Sequence, residues 1–333
     1  MSPAFLSQPR RYEFILVAIV ILIVVACDRN SELSGAYTPA AELKFADSGL
    51  HQCAIAEAAR HGWTESGQMK ELFCTNPDVN GIADLDGLEQ IFNLEHLDLA
   101  HNAVSSTRRV AELDRLRQLD LGYNRIRDAA LGAFPVSLVE INLDHNEISR
   151  LDGVEDLVHL QSISFGHNEV SDLTPLFTLT ELRRLSAFDN DVRSIAGIGS
   201  LVTLEKFDIS GNGIADISPL RGLSRLRVLR AARNAIVDIR PLAELPQLIV
   251  LDLSTNRITD ISALDRLDRL QQVNLDNNRL RDISALENLS AIEFVSVRGN
   301  PELDCAQVNR LTNALGEGVV HSDLSCDVDP GAP

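Results

Sequence analysis

The chain has 333 residues, a formal net charge of −18 and a pI near 4.8. A surface that acidic repels phosphate backbones, which argues against nucleic acid as a partner. Aromatic residues make up 5% of the chain and hydrophobic residues 45%. This composition builds an aliphatic core and is not that of a disordered chain.

The N-terminus stands apart from the rest. Arg10 and Arg11 precede an apolar run from Phe14 to Ala26. The run is too short to span a bilayer comfortably but suits the apolar segment of a secretory signal. It ends in Val24-Val25-Ala26-Cys27, which resembles the lipobox of bacterial lipoproteins. The resemblance implies cleavage after residue 26 and a lipid on Cys27; an uncleaved signal anchor is the alternative. Either puts the bulk of the chain outside the cytoplasm, in the bacterial cell envelope. Asp28 follows the cysteine. In sorting of the enterobacterial type it implies the periplasmic side of the inner membrane, with the outer membrane as the alternative. Residues 27–43 lack a core pattern and read as a tether.

Residues 44–79 read as an N-terminal cap. Asp47 or Ser48 is placed to cap a helix carrying Leu50, Cys53, Ala54 and Ala58 on one face. Glu57 interrupts that face, and Gly62 ends the helix. Trp63 reads as cap packing and not as a binding residue. With Cys27 given to lipid, Cys53, Cys74, Cys305 and Cys326 remain, and four cysteines allow three pairings. The sequence-local pairs Cys53–Cys74 and Cys305–Cys326 are the natural ones in an oxidising compartment. A metal site is the alternative, but these spacings match no common zinc motif.

From residue 80 to 300 one pattern recurs every 22 residues. Asn102, Asn124, Asn146, Asn168, Asn190, Asn212, Asn234, Asn256, Asn278 and Asn300 share a phase, and Asn80 extends it backward. Eight before each stands Leu or Ile, from Leu72 to Ile292. Five before, from Leu97 onward, stands Leu, Ile, Phe or Val. Most positions three before and two after are aliphatic. The unit LxxLxxLxLxxNxIxDIxxL resembles the leucine-rich repeat in the 22-residue form of bacterial internalins. The resemblance implies an α/β solenoid of about ten rungs, with a parallel concave sheet, short 3-10 or helical turns on the convex side and helical caps at both ends. The leucines spaced by two belong to one face of a short strand. The asparagine sits where the chain turns inward and can satisfy backbone groups left buried there. The aspartates four residues further on, such as Asp172, Asp216 and Asp238, read as caps on the convex turns. Calcium, which needs several oxygens from one compact loop, is the weaker reading. The rungs around residues 104–135 lack the regular turn sequence.

After Asn300 the pattern breaks at Glu302. Residues 301–326 read as a C-terminal cap with a helix from about Cys305 to Leu315, and 327–333 as a disordered tail.

No hydrolase elbow, nucleotide loop or zinc-protease motif appears. The expectation is a non-catalytic module with no cofactor and no metal, acting as a monomer that binds a protein on its concave face. A host-facing adhesin of the internalin type, or a structural envelope protein without a dedicated partner, are the alternatives. Six before each asparagine, the outward residues include Arg184, Lys206, Val228 and Val250. Four before, they include Arg230, and one before, Tyr123, His145, His167 and Arg233. Two groups follow. Arg184, Lys206, Arg230 and Arg233 beside Phe188, Val228 and Val250 have the composition of an interface hot spot. The column His101, Tyr123, His145 and His167 reads as polar surface, with a metal or pH-responsive role as its alternative. In the stretch 141–148, Asn142, Asp144 and His145 read as free to face a partner.

Overall fold

The computed structural model describes residues 38–75, 81–127, 134–324 and 326. Cys27 with its signal segment, most of the tether, Asn80 and the tail lie outside the described residues. No described helix is long and apolar enough to cross a membrane.

Twelve three-residue or shorter strands form one parallel sheet in sequence order, β1 (Glu71–Phe73) to β12 (Val320–His321). The repeat supplies β2 (His96–Asp98), β3 (Gln118–Asp120), β4 (Glu140–Asn142), β5 (Ser162–Ser164), β6 (Arg184–Ser186) and β7 (Lys206–Asp208). It continues with β8 (Val228–Arg230), β9 (Val250–Asp252), β10 (Gln272–Asn274) and β11 (Phe294–Ser296). Each cap adds one further strand. Neighbours inside the repeat pair in steps of 22, as Leu119 with Ile141 and Leu229 with Leu251. Equal steps with no slip are what keep every side chain on its intended face.

The exception is the first step. Leu72 pairs with Leu97, 25 residues on. Leu72 therefore fills the mid-strand position and not the position eight before an asparagine, and three extra residues lie between Cys74 and Ile82. The phase is unbroken only from Ile82 onward. The coincidence of Asn80 with the 22-residue count concealed the insertion.

Each rung contributes one aliphatic layer. In the rung of Asn256, Leu248, Leu251, Leu253, Ile258, Ile261 and Leu264 are all buried. Burying each such side chain is worth about 1.5–3 kcal/mol, before the cost of ordering the chain. On the convex side the repeat aspartates accept from the N–H two residues on: Asp172 from Thr174 (2.8 Å), Asp216 from Ser218 (2.8 Å), Asp260 from Ser262 (2.8 Å). They lead into the 3-10 turns at Thr174–Thr178, Ser218–Leu220 and Ser262–Leu264.

The ladder asparagines do the same work on the inside. Asn146 donates through Nδ2 to the carbonyls of Leu121 and Leu143, each at 3.0 Å, and its Oδ1 accepts from the Ile126 N–H at 2.9 Å. The bonds to the preceding rung recur from Asn102 to Asn300.

The ends are closed by helices α1 (Ser48–His61) and α2 (Cys305–Leu315). The Asp47 carboxylate caps α1 through the N–H groups of Gly49 (2.7 Å) and Leu50 (3.1 Å), and also takes the N–H of Ala83 at 3.0 Å. Gly62 ends α1 at a φ of 69°, a left-handed position that glycine adopts at little cost. Disulfides join Cys53 to Cys74 and Cys305 to Cys326. The first ties α1 to the end of β1. Trp63 packs partly buried against the core and stacks on His61 at 4.3 Å.

Candidate functional site

The concave face carries two outward columns, the first and third residue of each strand. The third residue is mostly committed to the fold. Its side chain accepts the N–H two residues on, where the chain leaves the strand: Asp98 from Ala100 (2.8 Å), Asp120 from Gly122 (2.8 Å), Asn142 from Asp144 (2.9 Å), Asp208 from Ser210 (3.0 Å) and Asp252 from Ser254 (3.0 Å). Serine at 164 is too short for that bond. There Asp144, from the rung before, takes over and accepts from Ser164 Oγ and the Gly166 N–H, both at 2.6 Å. Asp276 does the same for Ser296 and Arg298. Asn142 also donates to Asp120 at 3.1 Å. Asn142 and Asp144 are therefore structural, and of the three residues read as free only His145 remains so.

Burial holds the Asp120 carboxyl above its ordinary value of 3.8, against the Gly122 N–H and Asn142, with Asp98 and Asp144 adding like charge. Asp120 lies in a cleft of about 270 Å³ over β1–β5, lined also by Phe73, His96, Asp98, Glu140 and Asn142. Among the described residues no cluster of three or more His, Cys, Asp or Glu could hold a metal ion.

The four cations do not form one free patch. Arg184 reaches back two rungs to Glu140 and also donates to Ser162 Oγ at 3.2 Å. Arg233 reaches back two rungs to Asp189. The side chains of Lys206 and Arg230 make no hydrogen bond or ion pair among the described residues, although Arg230 stands between Asp208 and Asp252 in register. Val228 and Val250 lie side by side, half-buried, on β8 and β9. Lys206, Val228 and Arg230 border a second cleft of about 220 Å³.

Phe188 does not join the valines. Its ring covers Gly166, where a Cβ would come within 2.0 Å of it, so any side chain at 166 would have to displace the ring. It meets His167 edge-on at 4.9 Å. Phe188 is thus the end of the histidine column. In that column His101 stacks on Tyr123 (4.1 Å), Tyr123 on His145 (3.9 Å) and His145 on His167 (4.0 Å).

The whole column has left-handed backbone. φ is 57° at His101, 56° at Tyr123, 55° at His145 and 52° at His167, and continues at Asp189, Arg233, Thr255 and Asn277. Gly211 and Gly299 fill the same position. Left-handed φ costs a non-glycine residue about 1–2 kcal/mol. The rung over-determines the turn, since the His145 N–H donates to Gly166 O at 2.8 Å. Two glycines, an asparagine and an aspartate in one column were the available sequence signal for it. Sequence reasoning also missed Phe73, 43% exposed at the N-terminal end of the sheet, and the contact of Phe294 with His321.

Profiles of leucine-rich repeats match residues 224–266, and residues 90–107 and 116–134. No curated protein matches the chain significantly by sequence. Among solved structures, an internalin (InlF) of Listeria monocytogenes is 26% identical over 89% of this chain and 95% of its own, with a TM-score of 0.70. Internalin C2 of the same organism is 27% identical over 72% of this chain and 98% of its own, with a TM-score of 0.55. The Leptospira interrogans leucine-rich repeat protein LIC12759 shares the fold at 19% identity, covering 78% of this chain and 73% of its own, with a TM-score of 0.62. Proteins of this fold are generally non-catalytic and commonly serve protein–protein interaction. The repeat, the twelve-stranded sheet and these likenesses converge: the chain carries leucine-rich repeats and folds as a curved solenoid similar to those of the bacterial internalins.

Proposed function

We propose that this is an exported, lipid-anchored envelope protein that binds a protein partner on its concave face, without catalysis. The lipid is carried by Cys27, and the two disulfides fit an oxidising compartment outside the cytoplasm. One observation carries the docking surface. Most polar side chains in the third-residue column are tied into the turns, whereas Lys206, Val228, Arg230 and Val250 across β7–β9 have no such duty. Arginine is among the residues enriched in binding hot spots, and Val228 and Val250 set half-buried apolar surface beside Arg230. Rigidity keeps the ordering cost of binding low. Arg184 borders the patch, and Tyr123, His145, His167 and Phe188, with Arg233 two rungs beyond, offer a second contact along the rim column.

The test is a crosslinking pull-down from native envelope extract. Arg230→Glu and Val250→Asp should each lose the partner while keeping the parent's circular dichroism. Normal capture by both folded variants would show that the patch is not the docking surface.

A further inference from the structure

The ring column is the one continuous stack of rings across successive rungs among the described residues. Three of its four stacked rings are imidazoles, at 3.9–4.1 Å from their neighbours. His145 is sandwiched, with Tyr123 on one face and His167 on the other. The left-handed turns fix the Cα atoms below the rings, so the stack can part only by side-chain rotation.

The charged groups around it are few and mostly held. Asp144 precedes His145 but is engaged by Ser164 and Gly166. Asp189 lies 3.4 Å from His167 Nε2 and is also gripped by Arg233. His101 stands beyond Tyr123. A proton on His145 thus finds no carboxylate free to swing toward it, and it faces a second imidazole.

We propose that the His101–Tyr123–His145–His167 stack is a proton-operated switch on the rim of the concave face. When neutral, the rings stack and offer a closed aromatic edge. On acidification His145 becomes a cation pressed against the His167 ring, the stack parts between them, and an imidazolium edge replaces the aromatic surface. Burial, and then the neighbouring His167, hold the His145 pKa below the ordinary 6.5, as expected where protonation works against the packing. The switch does not depend on which concave residues meet a partner, so it stands or falls apart from the docking patch.

The experiment is a histidine NMR titration of the full chain from about pH 8 to pH 5, around the ordinary imidazole value. The parent is compared with His145→Asn and His167→Asn, since asparagine tolerates left-handed backbone. Circular dichroism at each pH reports that the solenoid is intact. The His145 midpoint should lie below 6.5 and move upward in His167→Asn. Because His101 stacks on the other face of Tyr123, the ring is followed in a His101→Asn background: its resonances should shift with the His145 midpoint and lose that shift when His145→Asn is added. A His145 midpoint indifferent to His167→Asn, or Tyr123 resonances that stay put while His145 titrates, would overturn the proposal.

Discussion

Replacing Asn146 by alanine isolates what one ladder residue contributes. The side chain makes three main bonds to buried backbone, to Leu121 O, Leu143 O and the Ile126 N–H. The two carbonyls are shared. Leu121 O also accepts from Asn124 Nδ2, and Leu143 O from Asn168 Nδ2, each at 3.0 Å. Both keep one partner in Asn146→Ala. Only the Ile126 N–H is orphaned, and a buried unsatisfied donor costs about 1–3 kcal/mol. The loss should therefore be about 1–3 kcal/mol, and not three times that. Adding Asn124→Ala removes the last ladder donor to Leu121 O, so the double variant should exceed the sum of the singles by about 0.5–3 kcal/mol. Urea unfolding at unchanged m-value measures both. Amide exchange should show Ile126 losing protection while Leu119, held by the sheet, keeps it. A strictly additive double variant, or an Ile126 amide that stays protected, would refute the sharing argument.

Further outcomes can be checked directly. Gly166→Ala puts a methyl into the Phe188 ring; it should destabilise by about 1–3 kcal/mol and expel the ring, changing the His167 resonances. Cys305→Ser with Cys326→Ser opens a loop of 21 residues and should cost about 3 kcal/mol by the chain-entropy relation, measurable as the difference in unfolding midpoint between the parent and the double variant without reductant. Burial opposes the charge on Asp47, but the N–H groups of Ala83, Leu50 and Gly49 outweigh it and hold its pKa below 3.8. That stability is present above pH 3.8 and is lost as the pH falls through the lower folded value. Asp47→Asn keeps an acceptor, so thermal unfolding between pH 5 and pH 2 should depend less on pH in the variant.

The asparagine ladder, the paired leucines and the capping aspartates were legible because each is set by a residue's own place in the repeat. The N-cap at Asp47 and the helix end at Gly62 were legible for the same local reason. What escaped depends on neighbouring rungs. Asp144 looks free until Ser164, one rung on, leaves a backbone N–H for it to take. Arg184 and Arg233 look like a free cationic patch until Glu140 and Asp189 are found two rungs back. Phe188 was grouped with the valines, because which way a ring leans is decided by the glycine beneath it. The shift at β1 was hidden because Asn80 falls by chance on the count, whereas Leu72 pairs three residues out of phase.

The ladder bonds have a consequence for how long such a molecule can be. Each asparagine gives to the rung before it and takes from the rung before it, by the same atoms at the same distances. The ladder bonds from Asn124 to Asn278 hold no information about a rung's ordinal number. A whole unit of 22 residues could be removed or duplicated there and every ladder bond would find an equivalent partner, whereas a change of one residue would strand a row of them. Length is decided only where the translation fails, at the 25-residue step behind Cys74 and at Glu302 before α2. Both places are fastened by a disulfide, so the covalent links sit at the only two layers that have no neighbour to copy.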